Sequence, residues 1–228
     1  MKNKKKLTMG LSLALVGVLG VGATLAYLSD STGDLTNTFT FSNSGINLKL
    51  DEKEYVDGVF TGERVTADKT SQDTIGSSYK NLIAGQPVSK DPTVTILSNS
   101  LNCNVFVSVK NANSKLTIGN IGTWKEIYPT DYNLTGEVGT KYYVYNGNEA
   151  THTQDPETND EFRVVKATGS SERVLDAVFE EVTVSKDITA STVFSDIVIK
   201  AAAVQSDYVT DEEAAKTALG MLIPTTQQ

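Results

Sequence analysis

The chain of 228 residues contains one histidine, one cysteine, one tryptophan and five prolines. A catalytic zinc ion normally takes three protein ligands, and more than one of them is usually a histidine. His152 is the only imidazole, and no HExxH or GxSxG motif occurs, so neither a zinc hydrolase nor a Ser-His-Asp triad is supported. A lone cysteine excludes an intramolecular disulfide. We therefore expect a protein that is not an enzyme and that needs no cofactor and no metal.

The first 26 residues have the pattern of a secretory signal peptide. Four lysines within the first six residues precede an uncharged apolar stretch at residues 7–26. Its small-residue end, ATLA, predicts cleavage between Ala26 and Tyr27. The alternative is an uncleaved membrane anchor, because about 20 apolar residues can span a bilayer. Four glycines within the stretch and the small-residue end favour cleavage, which predicts an exported chain with no stable membrane anchor.

Basic residues are scarce in the rest of the chain. Without the four N-terminal lysines, 16 basic residues face 28 acidic residues, which gives a net charge of about −12. Binding to nucleic acid or to anionic lipid depends on clustered Lys and Arg. No nucleic-acid partner is therefore expected, and hydrophobic residues at 39% are sufficient for a buried core.

Hydrophobic residues recur with a period of two along most of the chain, which is the pattern of strands. Cys103, Val105, Val107 and Val109 share one face of a predicted strand, with polar residues opposite. Similar short runs occur at residues 46–50, 94–96, 115–118, 141–145, 162–166, 174–184 and 193–204. Turn-forming clusters of Gly, Asn and Asp separate the runs. Eight or so strands without alternating long helices predict an all-β fold, an antiparallel β-sandwich.

A short helix is predicted at the C-terminus, at about residues 210–222. Thr210 followed by Glu213 forms a capping box, and Pro224 marks the end of the helix. Apolar residues at 215, 218, 219 and 222 fall on one face, which we expect to pack against one end of the sandwich. The predicted organisation is a signal peptide at 1–26, an extended segment at 27–41 and a domain at 42–228.

Two further features of the sequence are candidate sites. Asp155, Glu157, Asn159 and Glu161 present oxygen atoms at the spacing that begins an EF-hand loop, but the glycine at the sixth position and the closing glutamate are missing. A solvated acidic loop is favoured, and calcium binding at residues 155–161 stays open. Cys103 lies on an apolar strand face, which predicts a buried and inert thiol.

An aromatic run is a third candidate. Tyr142, Tyr143 and Tyr145, together with Trp124, could form a platform on which a carbohydrate stacks. Alternating aromatic residues on a strand are more often divided between core and surface. The run is therefore interpreted as half core and half surface, and carbohydrate binding is the less favoured alternative.

Several motifs occur in the order that is typical of one family. The lysine-rich signal segment ends at Ala26 and Tyr27 and is followed by Ser29 and Asp30, by NTF at residues 37–39 and by GINL at residues 45–48. The most telling block is NLIAGQPVSKD at residues 81–91, followed by a strand and then Asn99. AVQ at residues 203–205 also fits. Mainly over its first half, the chain resembles the TasA/camelysin family of secreted surface and biofilm-matrix proteins of Gram-positive bacteria.

This resemblance implies a jelly-roll-like β-sandwich that serves as a subunit of an extracellular fibre or biofilm matrix. It also implies maturation by a SipW-type signal peptidase and self-association, in which the N-terminal segment of one subunit adds a strand to the next. The candidate segment is residues 27–41, with Leu35, Phe39 and Phe41 as its apolar side chains. Removal of the signal peptide would then permit assembly. The alternative is that this segment is simply the first strand of its own domain.

A different class of function stays open. The chain could be a monomeric cell-surface module that binds a glycan or a host protein. The camelysin branch has been described as metalloprotease-like, but the single histidine argues against zinc hydrolysis here. The sequence leaves open which sheet edge accepts a donor strand and whether an accessory protein takes part in assembly.

Overall fold

A computed structural model describes residues 29–31, 45–56, 59–67, 79, 81–147, 150–151, 162–166 and 168–224. These residues form fourteen strands, one 3-10 helix at Pro129–Tyr132 and one α-helix, α1 (Asp211–Leu222). The strands are β1 (Ser29–Ser31), β2 (Leu48–Val56), β3 (Val59–Thr66), β4 (Pro87–Ser89), β5 (Thr93–Ile96), β6 (Cys103–Asn111), β7 (Leu116–Ile118), β8 (Trp124–Ile127), β9 (Thr140–Tyr145), β10 (Ala150–Thr151), β11 (Val164–Val165), β12 (Arg173–Val174), β13 (Glu181–Val184) and β14 (Ile197–Gln205). The expected all-β class with one short C-terminal helix is confirmed.

The strands form three antiparallel sheets. The seven-stranded sheet runs β1-β14-β6-β11-β10, and β9 also pairs with β6 and with β8. The four-stranded sheet has the order β12-β5-β2-β3, and the three-stranded sheet has the order β4-β13-β7. Strand β6 is the centre of the large sheet, because it pairs with β14 along its whole length and with β11 and β9 on its other side.

The main core is shared by the three sheets. Leu48 and Val94 from the four-stranded sheet, Val182 from the three-stranded sheet, and Val107 and Ile199 from the large sheet belong to one buried cluster. Each of these side chains is at most 5% exposed. The period of two on β6 therefore predicts its core face correctly.

The opposite face of the large sheet is also buried. Phe106, which lies between polar positions on β6, joins Val144 and Ala202 in a second cluster with helix α1. The expectation that the helix packs against one end of the strands is wrong, because α1 covers the face of the large sheet. The reason is that β9 and β14 carry apolar residues on both faces and β6 adds Phe106, so a layer on one face alone could not bury them.

Each predicted run overlaps a strand, but the bounds differ, and β3, β4, β8 and β10 lie outside the predicted runs. The run predicted at residues 174–184 is interrupted, with β12 and β13 separated by an irregular segment whose Val178 and Phe179 are buried. Strand β8, which begins at the buried Trp124, is not predicted by the period-two pattern. The polar stretch after Tyr55 contributes to a hairpin of β2 and β3, with a register shift between Lys53 and Tyr55.

Candidate assembly edge

Strand β14 lies next to the outer edge of the large sheet. Its partner on the inner side is β6, in an unbroken register from Ile197 opposite Asn111 to Gln205 opposite Cys103. Ala201, Ala202 and Ala203 are fully buried, with alternate residues directed towards the main core and towards α1. Short side chains on both faces let the two layers pack closely against this strand.

Strand β1 pairs with the outer side of β14. The register is antiparallel and places Ser29 opposite Val204, Asp30 opposite Ala203 and Ser31 opposite Ala202. The strand belongs to the N-terminal segment at residues 27–41, and here it pairs with β14 of the same chain. The register shows that residues 29–31 of this segment pair with β14 of their own chain, as the alternative of a first strand of the same domain predicts.

Helix α1 lies beside this edge, and residues at its N-terminus determine where it begins. The Thr210 hydroxyl accepts a hydrogen bond from the Glu213 backbone N–H, and the Glu213 side chain accepts one from the Thr210 N–H, as the capping box predicts. Hydrogen bonds from the Thr210 backbone N–H and from its hydroxyl lower the pKa of the exposed Glu213 carboxyl. The apolar side of the helix is buried, including Leu219 and Leu222. The helix contacts β14, β6 and β1, so it supports the edge from one face.

The site residues predicted from the sequence lie outside the described residues. These are Ala26 and Tyr27 at the expected cleavage point and Leu35, Phe39 and Phe41 in the extended segment. The same holds for His152 and for the acidic loop at residues 155–161. Within residues 27–41, the described part is β1. Signal cleavage, the role of the three apolar side chains and calcium binding therefore stay predictions.

The block at residues 81–91 is a loop followed by β4 of the three-stranded sheet, and it leads to β5 of the four-stranded sheet. Gly85 has a φ of 79° and reverses the chain, and Asn99 has a φ of 62° at the turn after β5, as the sequence predicts. Lys90 forms an ion pair with Glu52 on β2, where the two side chains are 9% and 1% exposed. The Lys90 ammonium lies 5.5 Å from the centre of the Tyr79 ring. Lys90 therefore fastens the loop to β2.

The next residue of the block, Asp91, extends this connection to β3. Arg64 donates to Asp91 at 2.9 Å and to Asp51 at 2.8 Å. Burial lowers the pKa of the Arg64 guanidinium, but its hydrogen bonds to Asp91 and Asp51 outweigh burial, so the pKa lies above its usual value. The Lys53 backbone N–H also donates to Asp91, at 2.8 Å. The sequence contains this Lys-Asp pair but gives no signal for its partners, because they lie far away along the chain.

Cys103 and the aromatic run are core residues in the structure. Cys103 is fully buried, and this burial raises the pKa of its thiol to about 12, so it remains protonated at neutral pH. Tyr142 faces the helix-side cluster, whereas Tyr143, Tyr145 and Trp124 face the main core. All four aromatic side chains are at most 5% exposed, so they form no open stacking platform.

The described residues contain no group of three or more His, Cys, Asp and Glu side chains placed to hold a metal ion. No helix among them is both long enough and apolar enough to cross a membrane.

Comparisons with family models, with curated protein sequences and with solved structures found no match to this chain. The resemblance to the TasA/camelysin family therefore rests on the sequence motifs and stays a prediction.

Proposed function

We propose that the chain is a secreted structural subunit of an extracellular fibre or biofilm matrix, not an enzyme, and that it assembles by exchange of its N-terminal strand. The observation that carries the proposal is the pairing of β1 with the outer edge of β14. A terminal strand at a sheet edge can be supplied equally well by a neighbouring copy, since the same backbone hydrogen bonds form in either case.

In the proposed assembly, β1 of one subunit pairs with Ala202–Val204 of the next. Residues 32–41 extend the contact, and Leu35, Phe39 and Phe41 contribute apolar side chains. Each subunit both donates and accepts a strand, so the contact is head-to-tail and can propagate as a fibre. A SipW-type peptidase would release the N-terminus by cleavage between Ala26 and Tyr27, outside the cytoplasm.

The arrangement of the sheets fits a jelly-roll-like β-sandwich. The seven-stranded sheet shares one core with the four-stranded and three-stranded sheets. An acidic chain repels its own copies at low salt, so fibre formation should increase as salt screens the charge of about −12 outside residues 1–26.

Electron microscopy and light scattering on two forms test the proposal. The chain beginning at Tyr27 should form fibres, whereas the chain that retains residues 1–26 should not. Deletion of residues 27–41 should abolish fibres and leave a soluble, folded domain. Monomers of both forms across concentration, salt and mild acid would instead favour a monomeric surface module that binds a glycan or a host protein.

A point substitution tests the edge itself. Asp30→Pro removes the backbone N–H at the centre of β1 and should block pairing opposite Ala203. Asp30→Asn leaves the backbone intact and serves as the control. The expected result is loss of fibres in Asp30→Pro alone, with unchanged circular dichroism in both variants. Fibres of normal yield from Asp30→Pro would refute the β14 edge as the acceptor, and unfolding after deletion of residues 27–41 would make β1 an internal strand.

A further inference from the structure

A cleft of about 800 Å³ opens between the three-stranded sheet and the β8–β9 pair of the large sheet. Strand β7 is an edge of the former, and β8 pairs with β9 alone among the described strands. Ligand sites commonly have volumes of about 300–1,000 Å³. The cleft therefore has the size of a small-molecule site, and it lies on elements other than β1, β14 and α1.

The cleft has an apolar floor and a polar rim of balanced charge. Val109, Trp124 and Tyr143 form part of the floor. On the rim, the Lys141 ammonium lies 3.2 Å from the Glu126 carboxylate, so the two charges offset each other. A rim of this kind offers donors and acceptors without attracting ions of one sign, which suits a neutral polar ligand.

The Tyr143 hydroxyl supplies an available donor. It has no hydrogen-bond partner among the residues that the structure describes, although the side chain as a whole is 5% exposed. Burial and the nearby negative charge of Glu126 raise the pKa of Tyr143 to about 12, so the hydroxyl keeps its proton at neutral pH. A hydroxyl that opens onto a cleft and has no protein partner among the described residues can donate to a ligand there in place of water.

One wall of the cleft is fixed before any ligand binds. The Asn113 side chain donates to the Ser195 carbonyl at 2.5 Å and accepts from the Ser195 N–H at 2.6 Å. The Asn111 side chain accepts from the Asn113 N–H at 3.0 Å and donates to the Leu116 carbonyl at 2.9 Å. A preformed wall reduces the entropy that a ligand loses on binding.

The hydrogen bonds of β7 disfavour the addition of a further strand in this cleft. The Gly119 backbone N–H donates to the Glu181 carbonyl, and the Ser185 backbone N–H donates to the Lys115 carbonyl. Leu116 and Ile118 lie at the alternate positions of this antiparallel pair, so their backbone N–H and carbonyl groups point away from β13. The outward Leu116 carbonyl is already occupied by Asn111. The edge of β7 is short and its Leu116 carbonyl is already bonded, so too few backbone groups remain to pair with an added strand. A compact ligand needs only the backbone groups near Ile118.

We propose that this cleft binds a neutral saccharide of one or two rings. Sugar hydroxyls donate to the Glu126 carboxylate and to the Ile118 carbonyl, and a sugar oxygen accepts from the Tyr143 hydroxyl. The apolar face of the ring lies against the edge of Trp124. The site is complete within one chain, so its occupation does not depend on fibre assembly, and in a matrix it would join each subunit to a polysaccharide.

Trp124 is the only tryptophan of the chain, so its fluorescence reports on the cleft directly. The full chain is titrated with cellobiose, maltose and N,N′-diacetylchitobiose, with isothermal titration calorimetry in parallel. We expect saturable binding of at least one sugar and a change in Trp124 emission. Tyr143→Phe, which keeps the ring and removes the unpartnered hydroxyl, should weaken binding about tenfold without altering the fold. Asn120→Ala, on the exposed rim, should weaken the same binding.

The matched control is Tyr208→Phe, which removes a fully exposed hydroxyl at the turn before α1. It should bind sugar like the unsubstituted chain. Binding of none of the three sugars by calorimetry would overturn the proposal, as would equal affinity in Tyr143→Phe and the unsubstituted chain. If a peptide of residues 27–41 changes Trp124 emission whereas none of the sugars does, the cleft accepts a strand and the saccharide assignment is wrong. Fibre formation is a separate measurement and can succeed or fail independently.

Discussion

Truncation of the buried face of α1 tests whether this helix is part of the folded core. Leu219 is fully buried between the helix and the large sheet, in a cluster with Phe106 and Ala202. Replacement of a buried leucine by alanine costs about 2–5 kcal/mol, through lost transfer free energy and through the cavity that remains. The site lies between rigid layers on both sides, so we expect Leu219→Ala to cost about 3 kcal/mol.

The measurement is urea unfolding, with thermal unfolding as a second probe. For a domain of this size, about 3 kcal/mol corresponds to a fall in Tm of about 6–12 °C. The control is Lys216→Ala on the exposed side, where Lys216 pairs with Glu212 four residues earlier at 2.5 Å. An exposed pair of this type contributes about 0.3–0.5 kcal/mol, so the control should change the free energy of unfolding very little.

A loss below about 1 kcal/mol in Leu219→Ala would refute the packing of α1 on the sheet, because no other mechanism protects a fully buried leucine from the cost of a cavity. A change in the urea m-value alone would show that the substitution alters the surface exposed on unfolding or the two-state character of the transition.

Two further predictions concern buried groups in the main core. The unfolded Cys103 thiol ionises near its ordinary pKa of 9.0, whereas the folded thiol has a pKa of about 12. The free energy of unfolding should therefore fall as pH rises between these two values. Urea unfolding at pH about 8 and about 10 measures this fall, and Cys103→Ala, which lacks the thiol, should show a smaller pH dependence. Gly147→Ala would place a Cβ 2.3 Å from the Tyr145 hydroxyl and 2.6 Å from an Asp176 oxygen, which would disrupt their 2.9 Å hydrogen bond. Gly147→Ala should lower the free energy of unfolding by about 1–3 kcal/mol. The control is Gly122→Ala, whose Cβ meets Asn120 at an ordinary 3.5 Å and should lower it by less than about 0.5 kcal/mol. Equal stabilities of the two variants would contradict this account.

The local elements of this protein are predictable because their signals are contained in a few neighbouring residues. The capping box at Thr210 and the buried positions of α1 follow from spacing alone. The positive φ angles of Gly85 and Asn99 follow from the residue types that tolerate them. The core face of β6 follows from alternation. Each of these features is decided within about one turn or one strand.

Features that depend on distant partners are not predictable in this way. Phe106 lies among polar residues, and its burial becomes clear when α1 is placed over the large sheet. Arg64 lies 27 positions from Asp91, and Glu52 lies 38 positions from Lys90, so both partners come from distant strands. The cleft beside Tyr143 also depends on two sheets that the sequence does not place together. No local sequence pattern indicates these contacts, because they form between segments that only the complete fold brings together.

In the proposed fibre, the β1 strand of a neighbouring subunit competes with the β1 strand of the same chain for pairing with β14. This competition determines which additional contacts the N-terminal segment must make. The strand of the same chain and the strand of a neighbour make the same three residue pairs at Ala202–Val204, so these pairs favour neither state. The strand of the same chain is tethered, which gives it an effective concentration of the order of millimolar. A neighbour's strand can replace it at lower protein concentration only when further contacts lower the free energy of the exchanged state. In the proposed assembly these contacts come from Leu35, Phe39 and Phe41, so residues 32–41 rather than β1 decide between monomer and fibre.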